Sequence, residues 1–198
     1  MRIGKRAAAL AVLAVLAGCA ALRVESTSSP TSLRLGKPER VIVSPFTALA
    51  RDGEQRVPRP VEQEPLNQAE LRAARAAQAA LQDGLVTRLR AAGLPAEAGR
   101  PEAAQGTTML VQGQMVTLAE GGRTRRSMLG LGATTTAEVQ LLYVAGNAAP
   151  QFLESFEAEA PTTPAALPVT TTSTEVSRVA DAMARRIIAF ATAQGWVP

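Results

Sequence analysis

Two runs of alternating residue type, TTMLVQGQMVTLAE (residues 107–120) and TTAEVQLLYVAG (residues 135–146), say most about the architecture of this chain. Successive side chains of a β-strand point to opposite faces of a sheet, so alternation of this kind predicts strands with one buried face. A third run, QFLESFEAEA (residues 151–160), follows closely along the chain. We therefore predict three consecutive strands that form an antiparallel meander.

The third run is the least regular of the three. As a strand it places Phe152 and Phe156 on one face, and Glu157 and Glu159 on the other. Glu154 then falls on the same face as the two phenylalanines. The pattern thus predicts one acidic side chain on the apolar side of the sheet.

Two helices are predicted from their apolar stripes. The segment LNQAELRAARAAQAALQDGLVTRLRAAG (residues 66–93) has apolar residues at steps of three and four, which is typical of an amphipathic helix, and Gly93 ends it. Near the C-terminus, Thr172 and Glu175 have capping-box spacing, and a second stripe ends at Gly195. That stripe consists of Val176, Val179, Met183, Ile187 and Phe190.

One more strand and a loop complete the predicted order. RVIVSPF (residues 40–46) is a β-branched run that Ser44 and Pro45 end. Residues 47–65 carry charges and prolines without a sustained period, which indicates a loop. The order is therefore β-α-β-β-β-α. Because helices pack naturally on one face of such a sheet, we predict an α+β, two-layer sandwich with a largely antiparallel four-stranded sheet and two helices on one face.

The N-terminus has the features of a secretion signal. Arg2, Lys5 and Arg6 precede an apolar run from Ala7 to Leu16. The run is about ten residues long, whereas a helix that crosses the hydrocarbon layer of a membrane needs ~20. A permanent transmembrane anchor is therefore not expected.

The residues Leu16, Ala17, Gly18 and Cys19 resemble the lipobox of bacterial lipoproteins. The resemblance implies cleavage before Cys19, attachment of a diacylglyceryl group to its thiol and acylation of the new amine. Each buried methylene contributes about 0.8 kcal/mol, so two or three chains would make the attachment effectively permanent. Ala20 stands where lipoproteins retained in the inner membrane of many Gram-negative bacteria have aspartate, which implies the outer membrane. The alternative is an ordinary signal peptide with an incidental cysteine, or a small buried thiol.

These features predict three parts of the chain. Residues 1–18 are a lipoprotein signal peptide, residues 19–38 a flexible tether, and residues 39–198 an α+β domain that faces the periplasm. The tether is small and polar, and a flexible segment of this length spans on the order of 25 Å. We see no internal repeat.

Composition excludes several classes of function. Loss of the signal peptide removes three of the 21 basic residues and none of the 17 acidic ones, so the formal charge falls from +4 to +1. A chain with so little net charge has no basic field to attract nucleic acid. The sequence contains no histidine, which excludes Ser-His-Asp and Cys-His catalysis and the usual zinc sites. Cys19 is the single cysteine, so no disulfide can form within the chain.

A loop rich in glycine and arginine lies between the first two alternating runs. Its candidate contact residues are Arg123, Arg125, Arg126, Gly130 and Gly132. A phosphate-binding loop is not indicated, because such a loop opens a helix and these glycines lead into a strand. Two interpretations stay open: a long hairpin connection with solvated arginines, or a surface that contacts lipid headgroups or a partner protein.

The same region resembles an uncharacterised family of small proteobacterial lipoproteins. The likeness rests on Arg126, Leu129, Gly130, Gly132 and Ala133, followed by the strand EVQLLYVAG, and it covers residues 107–160 best. The family has no established activity. The resemblance therefore implies the fold and the compartment only.

These observations favour a non-enzymatic accessory or assembly component of an envelope complex. Its expected partners are the membrane, through acylated Cys19, and an unidentified envelope protein; we predict no catalytic residue, cofactor or metal site. One alternative is a protein that binds a lipid or another apolar ligand between sheet and helices. The other is a cell-wall hydrolase with two carboxylates. Its candidate pairs are Glu62 with Glu64, and Glu154 with Glu157 or Glu159.

Overall fold

The longest strands are the three that the alternating runs predict. The computed structural model describes residues 23–26, 34–52, 59–60, 68–119, 135–160 and 172–198. Within these residues one sheet contains eight strand segments. They are β1 (Arg23–Ser26), β2 (Arg40–Val43), β3 (Thr47–Asp52), β4 (Arg59–Pro60), β5 (Ala96–Ala98), β6 (Thr107–Ala119), β7 (Thr135–Ala145) and β8 (Gln151–Ala160). The helices are α1 (Gln68–Ala91) and α2 (Thr172–Gln194), with a short 3-10 helix at Pro101–Ala103.

The centre of the sheet is the predicted meander. β6 pairs antiparallel with β7 from Thr107 opposite Ala145 to Thr117 opposite Thr135, and β7 pairs antiparallel with β8. β1 then pairs antiparallel with the outer side of β8. The prediction of three consecutive antiparallel strands is confirmed.

The other side of β6 carries parallel strands. β2 pairs with residues 108–111 of β6 and β3 with residues 114–119, both in parallel, and β5 pairs parallel with β2. α1 separates these strands from β6 along the chain, and a helical crossover is what lets two strands of one sheet run parallel. The α+β class, the two helices and a mostly antiparallel sheet are confirmed. The prediction of four strands is wrong, because β1, β3, β4 and β5 also join the sheet.

The two faces of the sheet have different surroundings. Val41, Val43 and Val111 belong to the main core, together with the fully buried leucines 81, 85 and 89 of α1 and residues Val179, Met183 and Ile187 of α2. Their neighbours in sequence, Ile42 and Leu110, belong to a separate small cluster on the opposite face. Both helices therefore pack on one face of the sheet. No helix in the described part of the chain is long and apolar enough to cross a bilayer.

A bulge in β8 changes the predicted faces of that strand. Leu141 lies opposite Glu154 but Leu142 lies opposite Phe152, so Leu153 is an extra residue in the ladder. Leu153, Glu154 and Phe156 are buried towards the helices, whereas Phe152 is 45% exposed. The prediction that Phe152 shares a face with Phe156 is wrong, and the buried position of Glu154 is confirmed.

Residues 47–65, predicted as a loop, contain two strands. β3 extends the edge of β6 beyond the interruption at residues 44–46, and β4 pairs antiparallel with β3. The single-sequence pattern does not show them because their pairing partners, not their own periodicity, define them as strands.

Part of the predicted tether is attached to the domain. β1 pairs with β8, and the Leu35 amide donates a hydrogen bond to Gln194 Oε1 at 3.0 Å. The Leu35 carbonyl accepts a hydrogen bond from Trp196 Nε1 at 3.0 Å, and the Gly36 carbonyl accepts one from the Tyr143 hydroxyl at 2.9 Å. Both segments lie within residues 19–38.

Candidate functional site

The face of the sheet opposite the helices, here called the open face, presents rows of polar side chains. Register aligns Gln114 of β6, Glu138 of β7 and Glu157 of β8 in one row. The next row is Gln112, Gln140 and Ser155. Glu138 and Gln140 are exposed, and the other four are partly exposed. The open face thus offers carboxylate and amide groups in a regular array.

Two acidic side chains are direct cross-strand neighbours in the first row. Glu138 of β7 lies opposite Glu157 of β8, and like charges at such positions destabilise a strand pair. Gln114 Nε2 donates a hydrogen bond to Glu138 Oε2. The glutamine orients one carboxylate but does not neutralise the pair. A cationic group from outside the described residues would therefore be attracted to the two carboxylates at this position.

A shallow cavity of about 420 Å³ adjoins this array where β2 gives way to β3. Its lining includes Ser44, Thr47, Gln112, Gln114, Glu138 and Gln140. The Ser44 hydroxyl is buried and has no hydrogen-bond partner among the described residues. The lining also includes Pro45, Pro101 and Gly113, so the cavity combines polar groups that can form hydrogen bonds with apolar surface.

Gly113 lines this cavity, and the Phe46 ring lies against Gly113 from the helix side of β6. A Cβ atom on Gly113 would lie 2.3 Å from the Glu138 carbonyl oxygen and 2.5 Å from the Phe46 ring. Phe46 is buried in the main core, so its ring covers β6 on the helix side. The absence of a side chain at Gly113 lets the ring and the neighbouring strand approach the β6 backbone closely.

The other end of the open face is apolar. Ile42, Leu110 and Val144 form a small buried cluster against which Leu142 and Ala104 pack. Phe152 lies opposite Leu142 and is exposed. The open face therefore combines a polar, acidic area with a small apolar one.

The sequence-predicted site residues are not among the residues that the structure describes. Leu16, Ala17, Gly18 and Cys19 lie outside the described residues, as do the loop residues Arg123, Arg125, Arg126, Gly130 and Gly132. The loop is attached to the ends of β6 and β7, at Ala119 and Thr135. Its role as a contact surface stays a prediction.

The carboxylate pairs proposed for a hydrolase do not converge where the structure describes them. Glu154 is buried on the helix side and forms a salt bridge with Arg186, whereas Glu157 and Glu159 are on strand positions that face the other way. Glu62 and Glu64 lie outside the described residues. The cavity described above is lined by one carboxylate, that of Glu138. The described residues contain no group of three or more side chains suited to hold a metal ion.

The residues of the open face could have been found from sequence. Gln112, Gln114, Glu138 and Gln140 occupy alternate positions of the two predicted strands, and a hairpin brings them together. Alternation already places Glu157 on the face opposite Phe156, but its pairing with Glu138 depends on a register that the bulge changes.

Three comparisons relate this chain to known proteins. The sequence profile of a family described as "Domain of unknown function (DUF4410)" matches residues 41–177. None of the curated proteins matches. Among solved structures, a dodecamer of a PelC point variant from Paraburkholderia phytofirmans is similar at 15% identity, with 83% of this chain and 96% of that chain covered and a TM-score of 0.43.

Proposed function

The chain belongs to the family described as a domain of unknown function (DUF4410), and we propose that it acts as a lipid-anchored outer-membrane lipoprotein, a non-enzymatic component of an envelope complex. In this role acylated Cys19 holds the domain at the membrane on its periplasmic side. The open face of the sheet binds a partner protein. The proposal follows from the sequence of the N-terminus and from the chemistry of the open face.

One observation carries the choice of the open face. The helices cover one side of the sheet, whereas Glu138, Gln140 and Glu157 are accessible on the other. Two adjacent carboxylates favour a partner with lysine or arginine side chains, because the attraction offsets the repulsion within the pair. The amide groups of Gln112 and Gln140 can donate and accept hydrogen bonds to the same partner.

The lining of the cavity distinguishes this role from carriage of an apolar ligand. A carrier of lipid needs a predominantly apolar pocket of several hundred Å³, whereas the cavity beside the open face has the polar groups of Ser44, Gln112 and Glu138 in its lining, next to two prolines and a glycine. The described side chains between sheet and helices form one cluster of buried hydrophobic residues. We therefore favour a protein partner over an apolar ligand.

The anchor is tested by the Cys19→Ser variant. Cells that express the native chain and are supplied with labelled palmitate should incorporate label into the protein, and the variant should incorporate none. The native protein should fractionate with outer membranes, and the variant should be released from them. Equal labelling of the two proteins would contradict the assignment of Cys19.

The partner surface is tested by photocrosslinking in cells. A photoreactive residue at Gln140 on the open face should give a discrete crosslinked product, whereas the same residue at exposed Arg185 on α2 should not. Introducing Glu157→Lys into the Gln140 probe should remove the product, because it places a cation where the partner's cation binds. A product that is stronger from Arg185, or unaffected by Glu157→Lys, would overturn the assignment of this face.

A further inference from the structure

The position of β1 constrains how the domain meets the membrane. Only residues 20–22 separate Cys19 from Arg23, the first residue of β1. An extended chain covers at most about 3.6 Å per residue, so the Cα atom of Arg23 lies within about 14 Å of that of Cys19. We propose that the pairing of β1 with β8 orients the domain, with one end of the sheet held against the lipid headgroups. This inference rests on the proposed acylation of Cys19.

The end of the sheet nearest to Cys19 is defined by the strand register. Arg23 lies opposite Glu159 of β8, which lies opposite Thr136 of β7, and Thr135 lies opposite Thr117 of β6. We call this the β1 end. It contains the first residues of β1 and β7 and the last residues of β6 and β8.

The same N-terminal segment is also fastened at the opposite end of the sheet. Leu35 is hydrogen-bonded to Gln194 and Trp196, and Gly36 to Tyr143, which lies opposite Met109 near the start of β6. We call this the Trp196 end. Thr136 and Tyr143 are seven residue steps apart along β7, so the two attachments are about 23 Å apart.

The two attachments predict opposite orientations of the domain. If Leu35 were the first fixed residue after Cys19, the chain would leave the domain at the Trp196 end, and residues 20–34 would form the linker to Cys19. Because β1 pairs with β8, the chain instead leaves at the β1 end, where three residues connect Arg23 to Cys19. A short edge strand therefore decides which end of the sheet faces the lipid.

The orientation can be measured on the full, acylated protein in vesicles of phosphatidylethanolamine and phosphatidylglycerol. Because Cys19 is the single cysteine and its thiol is acylated, Glu138→Cys and Asn147→Cys each supply one free thiol for a fluorophore. Glu138 is three residues from the β1 end, and Asn147 is in the turn at the other end. With quencher-labelled headgroups in the bilayer, we expect several-fold stronger quenching at position 138 than at 147. Equal quenching, or stronger quenching at 147, would overturn the inference.

A double variant, Val24→Pro with Glu25→Pro, tests whether β1 causes the orientation. Successive N–H groups of a strand point to opposite sides, so one of the two prolines must remove a hydrogen-bonding group from the β8 side. We expect the difference in quenching to disappear or reverse, while the melting of the domain core stays cooperative. A difference that persists would show that β1 does not orient the domain.

A second variant keeps β1 intact. Insertion of twelve glycine and serine residues between Leu22 and Arg23 lengthens the connection between Cys19 and β1. The insertion should reduce the quenching at position 138 towards the quenching at position 147. An unchanged difference would contradict the role of the short connection.

If mass spectrometry shows no acyl chain on the native protein and the protein does not bind vesicles, the proposed anchor fails, and this inference fails with it. Acylated, vesicle-bound protein with equal quenching contradicts the orientation alone.

Discussion

Glu154 of β8 is fully buried and forms a salt bridge with Arg186 of α2. The Arg186 Nε atom donates a hydrogen bond to Glu154 Oε1 at 2.8 Å. The pair joins the helix layer to the sheet just beyond the bulge at Leu153. An acidic residue on the apolar side of a strand is thereby matched to a cation on the helix that covers it.

Removal of the cation should destabilise the domain strongly. Loss of one partner of a buried ion pair costs about 3–5 kcal/mol, because the other charge stays buried. The Arg186 side chain is 31% exposed, so we expect Arg186→Met to lower the free energy of unfolding by about 3 kcal/mol. Urea denaturation measures the change, and Arg185→Met, at an exposed neighbour on the same helix, is the matched control. The double variant Glu154→Gln with Arg186→Met should recover part of the loss; equal effects at 185 and 186 would contradict this assignment.

Replacing one of the two neighbouring carboxylates on the open face should stabilise the domain, whereas the loss of Arg186 destabilises it. Glu157→Lys replaces a like-charge neighbour of Glu138 with an opposite charge, and cross-strand pairs of this kind contribute about 0.2–1 kcal/mol. We expect a higher melting temperature at low salt and a smaller gain at high salt, since salt screens the interaction. Glu102→Lys makes the same change of charge at an exposed residue outside the strands and should have little effect. A matching gain from Glu102→Lys would mean that net charge, not the pair, is responsible.

Much of the fold could be predicted because the periodicity of apolar residues along each segment indicates its secondary structure. The period of two in β6 and β7 and the period of three to four in α1 and α2 reflect which side of each element is buried. The buried position of Glu154 also follows from alternation. These features depend on the side chains of one segment at a time.

The features that could not be predicted depend on two segments at once. The parallel pairing of β2 and β3 with β6 requires a knowledge of where α1 returns the chain. The bulge at Leu153 adds one residue to a ladder, and nothing in the alternation of residues 151–160 marks its position. For this reason alternation alone places Phe152 on the wrong face, and it does not show that Glu157 is a neighbour of Glu138.

The lack of a side chain at Gly113 should be essential to the sheet. In Gly113→Ala the new Cβ atom would meet the Glu138 carbonyl oxygen and the Phe46 ring, at 2.3 Å and 2.5 Å. Because the carbonyl belongs to the β7 backbone, the strand pair itself must shift, and overpacking of this kind costs about 1–3 kcal/mol. Gly36→Ala is the control, since among the described residues its Cβ would meet the Tyr143 hydroxyl alone, at an ordinary contact distance of 3.6 Å.

Differential scanning calorimetry of the two alanine variants separates the cases. We expect a clear fall in melting temperature for Gly113→Ala and a small change for Gly36→Ala. Adding Phe46→Leu to Gly113→Ala should not restore stability, because the contact with the carbonyl oxygen persists. Full recovery in that double variant would assign the strain to the ring and contradict the role of the β7 backbone.

Tyr143 should make the domain sensitive to alkaline pH. Burial raises the pKa of its hydroxyl above the ordinary value of 10.0, and the negative charge of Glu39 raises it further. The hydroxyl also donates the hydrogen bond to the Gly36 carbonyl, and its ring stacks on Trp196 with centroids 6.2 Å apart. The neutral, protonated form is therefore the one that the folded protein favours.

The sign of the pH effect follows from proton binding. Below pH 10 the tyrosine is protonated in both states, and its contribution to stability is fully present. Above pH 10 the unfolded chain releases the proton while the folded chain retains it, so stability falls as pH rises towards the folded pKa.

Tyr143 is the single tyrosine, so tyrosinate absorbance reports its pKa directly. We expect a midpoint above 10 in the native protein and a lower midpoint in Glu39→Gln. Tyr143→Phe should lose about 1 kcal/mol at neutral pH through the missing hydrogen bond, yet it should lose less stability than the native chain between pH 9 and pH 11. Parallel stability curves for the two proteins over that range would refute the assignment.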